Sequence, residues 1–126
     1  MEMQELQKVV GRAKEYVAKG RAILEAIQYC RDKEDSVEYA LCVLYNVAPR
    51  LEGDVKVNVS YEGGYVISLL VRGIKVLKIR KDRIEAPDRE ILKHDLLMIA
   101  EYYLNEAYNT IVGESETEEK DNEHDP

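Results

Sequence analysis

The sequence contains no tryptophan or phenylalanine, and only two cysteines, two histidines and three prolines among its 126 residues. Two cysteines are too few for a four-ligand zinc site, or for the disulfide framework of a small secreted domain. No apolar run approaches the ~20 residues that a membrane-spanning helix needs. The first residues, Met1–Glu5, carry acid where a signal peptide carries base, and no apolar stretch follows them. We therefore expect a cytoplasmic protein without a membrane partner.

Hydrophobic residues make up 45% and charged residues 34% of the chain, which is typical of a folded globular protein. The length suits one domain. Nine tyrosines replace the other aromatic residues, and glutamate and lysine are abundant while glutamine is scarce. This usage is typical of thermophile proteins.

The net charge of −7 is concentrated at the C-terminal end of the chain. Residues 114–126 hold seven acids and a single base, Lys120. We therefore expect one α+β domain over residues 1–113, with Gly113 ending its last helix, followed by a disordered acidic tail over residues 114–126.

Residues 2–30 carry apolar side chains at alternating spacings of three and four, which predicts one long amphipathic helix. A helix of about 28 residues is ~42 Å long. It would overhang a domain of this size, whose diameter is roughly 35 Å. A second copy of the helix is the partner that we expect to cover the overhanging residues. The predicted dimer seam consists of Val10, Val17, Gly20, Leu24 and Ile27. The alternative is a helix that breaks near Gly20 and packs wholly against the last helix of its own chain.

The next segment predicts a second helix from an N-cap at Asp35 to about Ala48, which forms a helical hairpin with the first. Two cysteines lie in this hairpin. A turn near Lys33 would place Cys30 opposite residue 37, about five residues short of Cys42. We therefore expect two buried free thiols.

A three-stranded antiparallel meander follows, with strands over 55–61, 65–71 and 74–80 and a short fourth edge strand at Ile84-Glu85. A three-residue loop at 62–64 pairs Val59 with Ile67 and gathers the apolar residues on one face. A long C-terminal helix over about 88–112 is expected to cover that face, at Val57, Val59, Ile67 and Leu69.

The sequence contains no nucleotide-binding glycine motif and no nucleophile elbow. His94 shares a helix face with Glu90, which is at most half of a metal site. The order of helix, meander and helix loosely resembles the restriction-endonuclease-like nucleases. That resemblance implies an Asp on the second strand and a Glu-x-Lys on the third, to hold Mg²⁺. Neither is present in residues 65–71 or 74–80. We predict no enzyme activity, cofactor or metal.

Basic residues cluster in and around the meander, which gives an alternative to pure protein interaction. They could contact the phosphates of nucleic acid without sequence preference, with the acidic tail modulating that binding. The candidates are Lys56, Arg72, Lys75, Lys78, Arg80, Lys81 and Arg83.

The function that the sequence favours is that of a small non-catalytic interaction or adaptor protein, homodimeric through its first helix. Nucleic-acid binding through the meander is the alternative, and the nuclease is disfavoured because its metal ligands are missing.

Overall fold

The computed structural model describes the backbone of residues 2–124 and the side chains of residues 2–113. It shows the predicted α+β class: a helical hairpin, an antiparallel strand meander and a long C-terminal helix. The elements are α1 (Met3–Tyr29), α2 (Ser36–Val47), β1 (Val55–Tyr61), β2 (Tyr65–Val71), β3 (Ile74–Ile79), β4 (Ile84–Glu85) and α3 (Arg89–His124).

The helix ends follow local hydrogen bonding. Asp35 caps α2 by accepting a hydrogen bond from the backbone N–H of Glu38 at 3.0 Å, as predicted. Asp88 accepts from the N–H groups of Glu90 and Ile91 at the start of α3. The prediction that Gly113 ends the last helix is wrong, because α3 continues through it to His124. A disordered tail over residues 114–126 stays a prediction, and the side chains of these residues lie outside the described part of the chain.

The four strands form one antiparallel sheet in the order β1-β2-β3-β4. The predicted register of the first hairpin is confirmed, since Tyr61 pairs with Tyr65 and Val59 with Ile67. The second hairpin turns through two residues, Arg72 and Gly73, both with positive φ. A bulge between Leu69 and Leu70 shifts the register by one residue, so Leu77 and Ile79 lie on the same face as Leu69 and Ile67.

The bulge also changes which side chains of β3 are buried in the core. Leu70 pairs with Lys75 and Leu69 with Leu77, so Val76 is left as the extra residue. Val76 and Leu77 are both buried. Two successive residues of one strand therefore enter the core, which an alternating strand does not allow.

The core lies between the sheet and the three helices, with α2 at its centre. α2 packs against β3, and both α1 and α3 pack against α2. Its largest fully buried side chains come from every layer: Ile23, Tyr39, Val43, Val47, Leu51, Val71, Val76, Leu77, Leu92, Leu96 and Tyr103.

The expectation that α3 covers the sheet face at Val57, Val59, Ile67 and Leu69 is wrong. Val57 is 62% and Val59 is 58% exposed. Ile67 is also exposed, while Leu69 packs partly against the core. Strand alternation identified the apolar face, but α2 covers only the part of it near Leu69 and Leu77, because α3 is engaged along α1.

The prediction of free thiols is also wrong, because Cys30 and Cys42 form a disulfide with Cα atoms 6.0 Å apart. The helices of the hairpin are antiparallel, as predicted. The residue midway between facing positions of α1 and α2, however, lies later in the chain than Lys33. Arg50 contacts Glu25, and Asn46 lies near Cys30. The first turn of α2 therefore extends beyond the end of α1.

Arg89 of α3 explains this shift. Its guanidinium donates hydrogen bonds to the carbonyl oxygens of Arg31 and Lys33 and stacks on the ring of Tyr39. Its backbone N–H donates to Ser36 Oγ at 3.1 Å. These contacts hold the connection between α1 and α2 against the start of α3, and so bring Cys42 level with Cys30.

We expect the disulfide to stabilise the fold by about 3 kcal/mol, since it closes a loop of moderate length in the unfolded chain. The double substitution Cys30→Ala/Cys42→Ala should lower the urea midpoint and the Tm accordingly. Reductant should lower the stability of the wild type and leave that of the double variant unchanged. Equal urea midpoints for oxidised and reduced wild type would contradict the expectation.

Candidate functional site

The helices α1 and α3 pack against each other in antiparallel orientation. Arg89 at the start of α3 lies beside the residues that follow α1, and Gly20 midway along α1 faces Ala100 and Leu104. A Cβ atom at Gly20 would lie 3.1 Å from the Leu104 side chain and 3.3 Å from the Ala100 carbonyl oxygen. Glycine therefore allows a close approach here, and α1 runs through it without a break.

A polar cluster ties this helix pair to the sheet. Asp54, which precedes β1, accepts a hydrogen bond from Lys19 at 3.0 Å and one from the Tyr103 hydroxyl at 2.7 Å. The Arg72 guanidinium stacks 4.1 Å from the centre of the Tyr102 ring and lies 4.0 Å from Asp54. Lys19 directly precedes Gly20 and Tyr102 directly precedes Tyr103, and both of these following residues belong to the α1–α3 contact. Residues at these positions therefore face the sheet.

Burial alone would raise the pKa of Asp54. The hydrogen bonds from Tyr103 and Lys19, together with the charges of Lys19 and Arg72, outweigh burial and lower that pKa below its ordinary value. Burial and the adjacent carboxylate raise the pKa of Tyr103. The cluster is therefore an ionised aspartate held by a neutral tyrosine and two cations.

The opposite side of the helix pair carries an exposed apolar surface. In two antiparallel right-handed helices, residues that follow the contact positions by one share one side of the pair. On α1 these positions include Val10, Val17 and Leu24, which follow Val9, Tyr16 and Ile23. On α3 they include Leu97 and Leu104, which follow Leu96 and Tyr103. We call this surface the helical face. It consists of Leu6, Val10, Val17, Leu24, Leu97, Leu104, Tyr108 and Ile111.

Seven of its eight residues are exposed, and Val10 is half-buried. From the contact of Gly20 with Ala100 and Leu104, Val17 lies about level with Leu104, and Leu24 with Leu97. The face is therefore continuous across both helices.

Charged residues of opposite sign border the two edges of the helical face. Lys14 and Arg21 follow Val10 and Val17 by four positions, so they border it on α1. Glu101 follows Leu97 by four positions and borders it on α3. All three side chains are exposed.

The structure divides the predicted dimer seam. Val10, Val17 and Leu24 belong to the helical face, whereas Gly20 and Ile27 are buried within the chain. The contact with α3 uses Val9, Ala13, Gly20, Ile23 and Ile27, which also recur at spacings of three and four. Two adjacent apolar lines therefore run along α1, one packed on α3 and one exposed. The predicted seam combined residues of both. The contribution of α3 was not predicted, although Leu97, Leu104, Tyr108 and Ile111 recur at helical spacing along that segment of the sequence.

The predicted basic cluster is only partly assembled. Strand alternation and register place Lys56, Lys75, Lys78 and Arg80 on one face of the sheet. Arg72 lies elsewhere, on the Tyr102 ring. Lys81 and Arg83 lie in the connection after β3.

Two acids reduce the charge of this basic sheet face. Glu62 pairs with Lys78 and Arg80, and Glu85 pairs with Arg80 and Arg83. Among the described residues, Lys56, Lys75 and Lys81 form no ion pair. Nucleic-acid binding stays a prediction.

Other chemistry is sparse in the described part of the chain. No three His, Cys, Asp or Glu side chains of this part are grouped so that they could hold a metal ion. None of the helices described here combines the length and apolar character needed to cross a bilayer. His94 is exposed, and the two cysteines are bonded to each other.

No protein-family model, curated protein or solved structure matches this chain.

The polar cluster gives a pH-dependent prediction. A carboxyl group whose pKa is lower in the folded state stabilises the fold above its unfolded pKa of about 4, and loses that effect as pH falls through the folded pKa. We expect Asp54→Asn to cost about 2 kcal/mol at neutral pH. The difference in unfolding free energy between Asp54→Asn and the wild type should shrink below pH ~4.

Urea unfolding at several pH values tests this prediction. Tyr103→Phe is the matched variant, because it removes one hydrogen bond and leaves the carboxylate. It should cost less than Asp54→Asn at neutral pH. A difference between Asp54→Asn and the wild type that stays constant from pH 7 down to pH 2.5 would contradict the prediction.

Proposed function

We propose that this chain is a non-catalytic interaction protein that works as a homodimer through its helical face. The observation that carries the proposal is the exposed apolar face along both long helices, on the side opposite the sheet. Large exposed apolar surfaces on folded proteins mark interaction sites. The structure supports this proposal in three further respects: area, shape and charge.

The area of the helical face approaches that of a stable interface. On α1 the helical face runs from Leu6 to Leu24, which is about 27 Å of helix. Two packed helices with axes 8–10 Å apart present a width of about 20 Å. The face therefore offers ~540 Å² per chain, close to the ~600 Å² that each partner buries in the smaller stable interfaces.

The shape of the face suits a four-helix arrangement. Its residues recur at heptad-like spacing on both helices, as helices packed at shallow angles require. A second helix pair laid on the first would bury both apolar lines at once. A single helix would leave part of the face exposed.

The bordering charges favour one orientation of the two copies. A twofold axis parallel to the helices places α1 of one protomer against α3 of its partner, at the same level along the axis. Arg21 then faces Glu101 of the partner subunit, because the adjacent residues Gly20 and Ala100 are level within each chain. A perpendicular axis would instead set α1 against α1, and would bring the basic border of one chain, Lys14 and Arg21, beside the same border of the other.

Val17→Asp tests the dimer. The substitution would bury a charge at the centre of the interface, which costs several kcal/mol and should weaken dimerisation about a hundredfold or more. Val17 is 36% exposed in the single chain, so the fold should persist. Light scattering should give about twice the 14.5 kDa chain mass for the wild type and the chain mass for the variant.

Leu41→Asp is the matched control, because Leu41 is a similarly exposed helix residue outside the helical face. It should leave the dimer intact. Arg21→Glu should weaken the dimer, and adding Glu101→Arg should restore it. A monomeric wild type at micromolar concentration contradicts the dimer, and a charge exchange without restoration contradicts its orientation.

A further inference from the structure

The sheet presents a second exposed apolar surface, away from the helical face. Val59, Ile67, Ile79 and Ile84 pair in one row across all four strands. Tyr61 and Tyr65 pair at the next position, with their rings in an edge-on contact at 5.5 Å. Both rings are more than 70% exposed. This surface lies on the sheet side of the helix pair, so the proposed dimer leaves it free.

The open edge of this sheet is β1. It comes first in the strand order and has one neighbour, β2, among the described residues. Its seven residues, Val55–Tyr61, include no proline and a single charge, Lys56. Among the described strands, the register shifts only between β2 and β3, so β1 carries no bulge on its free edge. Apart from the single charge of Lys56, the described part of β1 lacks the devices that natural sheets use to block pairing at an edge.

We propose that β1 accepts an extended segment of another protein as an added strand, in which apolar residues alternate with acidic ones. An added strand would form backbone hydrogen bonds with β1 along its free edge. Its residues on one face would lie beside Val57 and Val59. Those on the other face would lie beside Lys56, Asn58 and Ser60.

Lys56 determines the preferred charge of the added strand. A residue directly opposite it on a new strand would have its Cβ atom within about 5.5 Å, close enough for an ion pair. The next basic residues on the same face, Lys75 and Lys78, strengthen the preference for acid at longer range. A second copy of β1 is a poorer occupant, because it brings another Lys56 and no acid.

The proposed dimer would carry two such edges, one on each chain. A partner with two strand segments, or two partners held together, would then bind with increased avidity. The bivalency rests on the proposed function, whereas the strand addition itself does not.

The test uses two synthetic peptides of eight residues with blocked ends. One alternates valine with glutamate, and the other alternates valine with lysine. NMR titration of the wild-type protein should show binding of the glutamate peptide about fivefold tighter than that of the lysine peptide. The backbone amides of β1 that point away from β2 should exchange more slowly with solvent when the peptide is bound.

Lys56→Glu should reverse the preference between the two peptides. Lys75→Glu is the matched control, because it changes the charge equally but lies three strands from the added peptide, at about 14 Å. It should reduce the preference slightly without reversing it. A glutamate peptide methylated at every backbone nitrogen should not bind, since it cannot donate the ladder hydrogen bonds.

Three results would overturn the inference. The first is equal binding of both peptides to the wild type. The second is undiminished binding of the methylated peptide, which would indicate contact with the apolar face rather than strand addition. The third is protection, without any peptide, of the β1 amides that point away from β2, which would assign the edge to a second copy.

The same titration on Val17→Asp separates this inference from the proposed dimer. A monomeric variant that still binds one peptide per chain supports both. A variant that remains dimeric overturns the proposed function alone, and a monomeric variant without peptide binding overturns the strand addition alone.

Discussion

The close contact of α1 with α3 at Gly20 determines how the rest of the chain is arranged. With no side chain at Gly20, the backbone of α1 approaches the Ala100 carbonyl and the Leu104 side chain. The two longest helices therefore pack against each other along most of α1. This engagement leaves α2 to cover the sheet, and it directs one side of the helix pair to solvent. The exposed helical face and the partly uncovered sheet both follow from it.

Polar contacts hold the other elements on this helix pair. Asp54 joins Lys19 of α1 to Tyr103 of α3 at the point where the sheet begins. Arg89 fastens the loop between α1 and α2 to the start of α3. The disulfide then links the end of α1 to the middle of α2. Two sets of polar contacts and one disulfide thus fix the sheet, the loop and α2 relative to the pair of long helices.

Local signals in the sequence were enough to predict most of the fold. Asp35 marked the start of α2, and the glycines at 63 and 64 set the register of the first hairpin. The partners of each element depended on distant contacts. The disulfide was missed because the position of α2 depends on Arg89, more than fifty residues from the loop that it holds. The coverage of Val57 and Val59 was wrong for a similar reason, since strand alternation does not specify which helix packs on a face.

The candidate site was predicted in part. Heptad spacing located Val10, Val17 and Leu24, which with Leu6 form the α1 half of the helical face. Spacing alone did not separate this line from the neighbouring one that packs on α3, because the two lines lie less than a quarter turn apart. The α3 half, from Leu97 to Ile111, required knowledge of how the two helices are oriented.

Isotope-filtered NMR on mixed dimers tests the central claim most directly, because it records only contacts between a labelled chain and an unlabelled one. Our account predicts cross-peaks between chains from the methyl groups of Val17 and Leu24 to those of Leu104 and Leu97. Cross-peaks between chains from Val59 and Ile67 instead would place the interface on the sheet. That result, or the absence of any cross-peak between chains, would contradict the account.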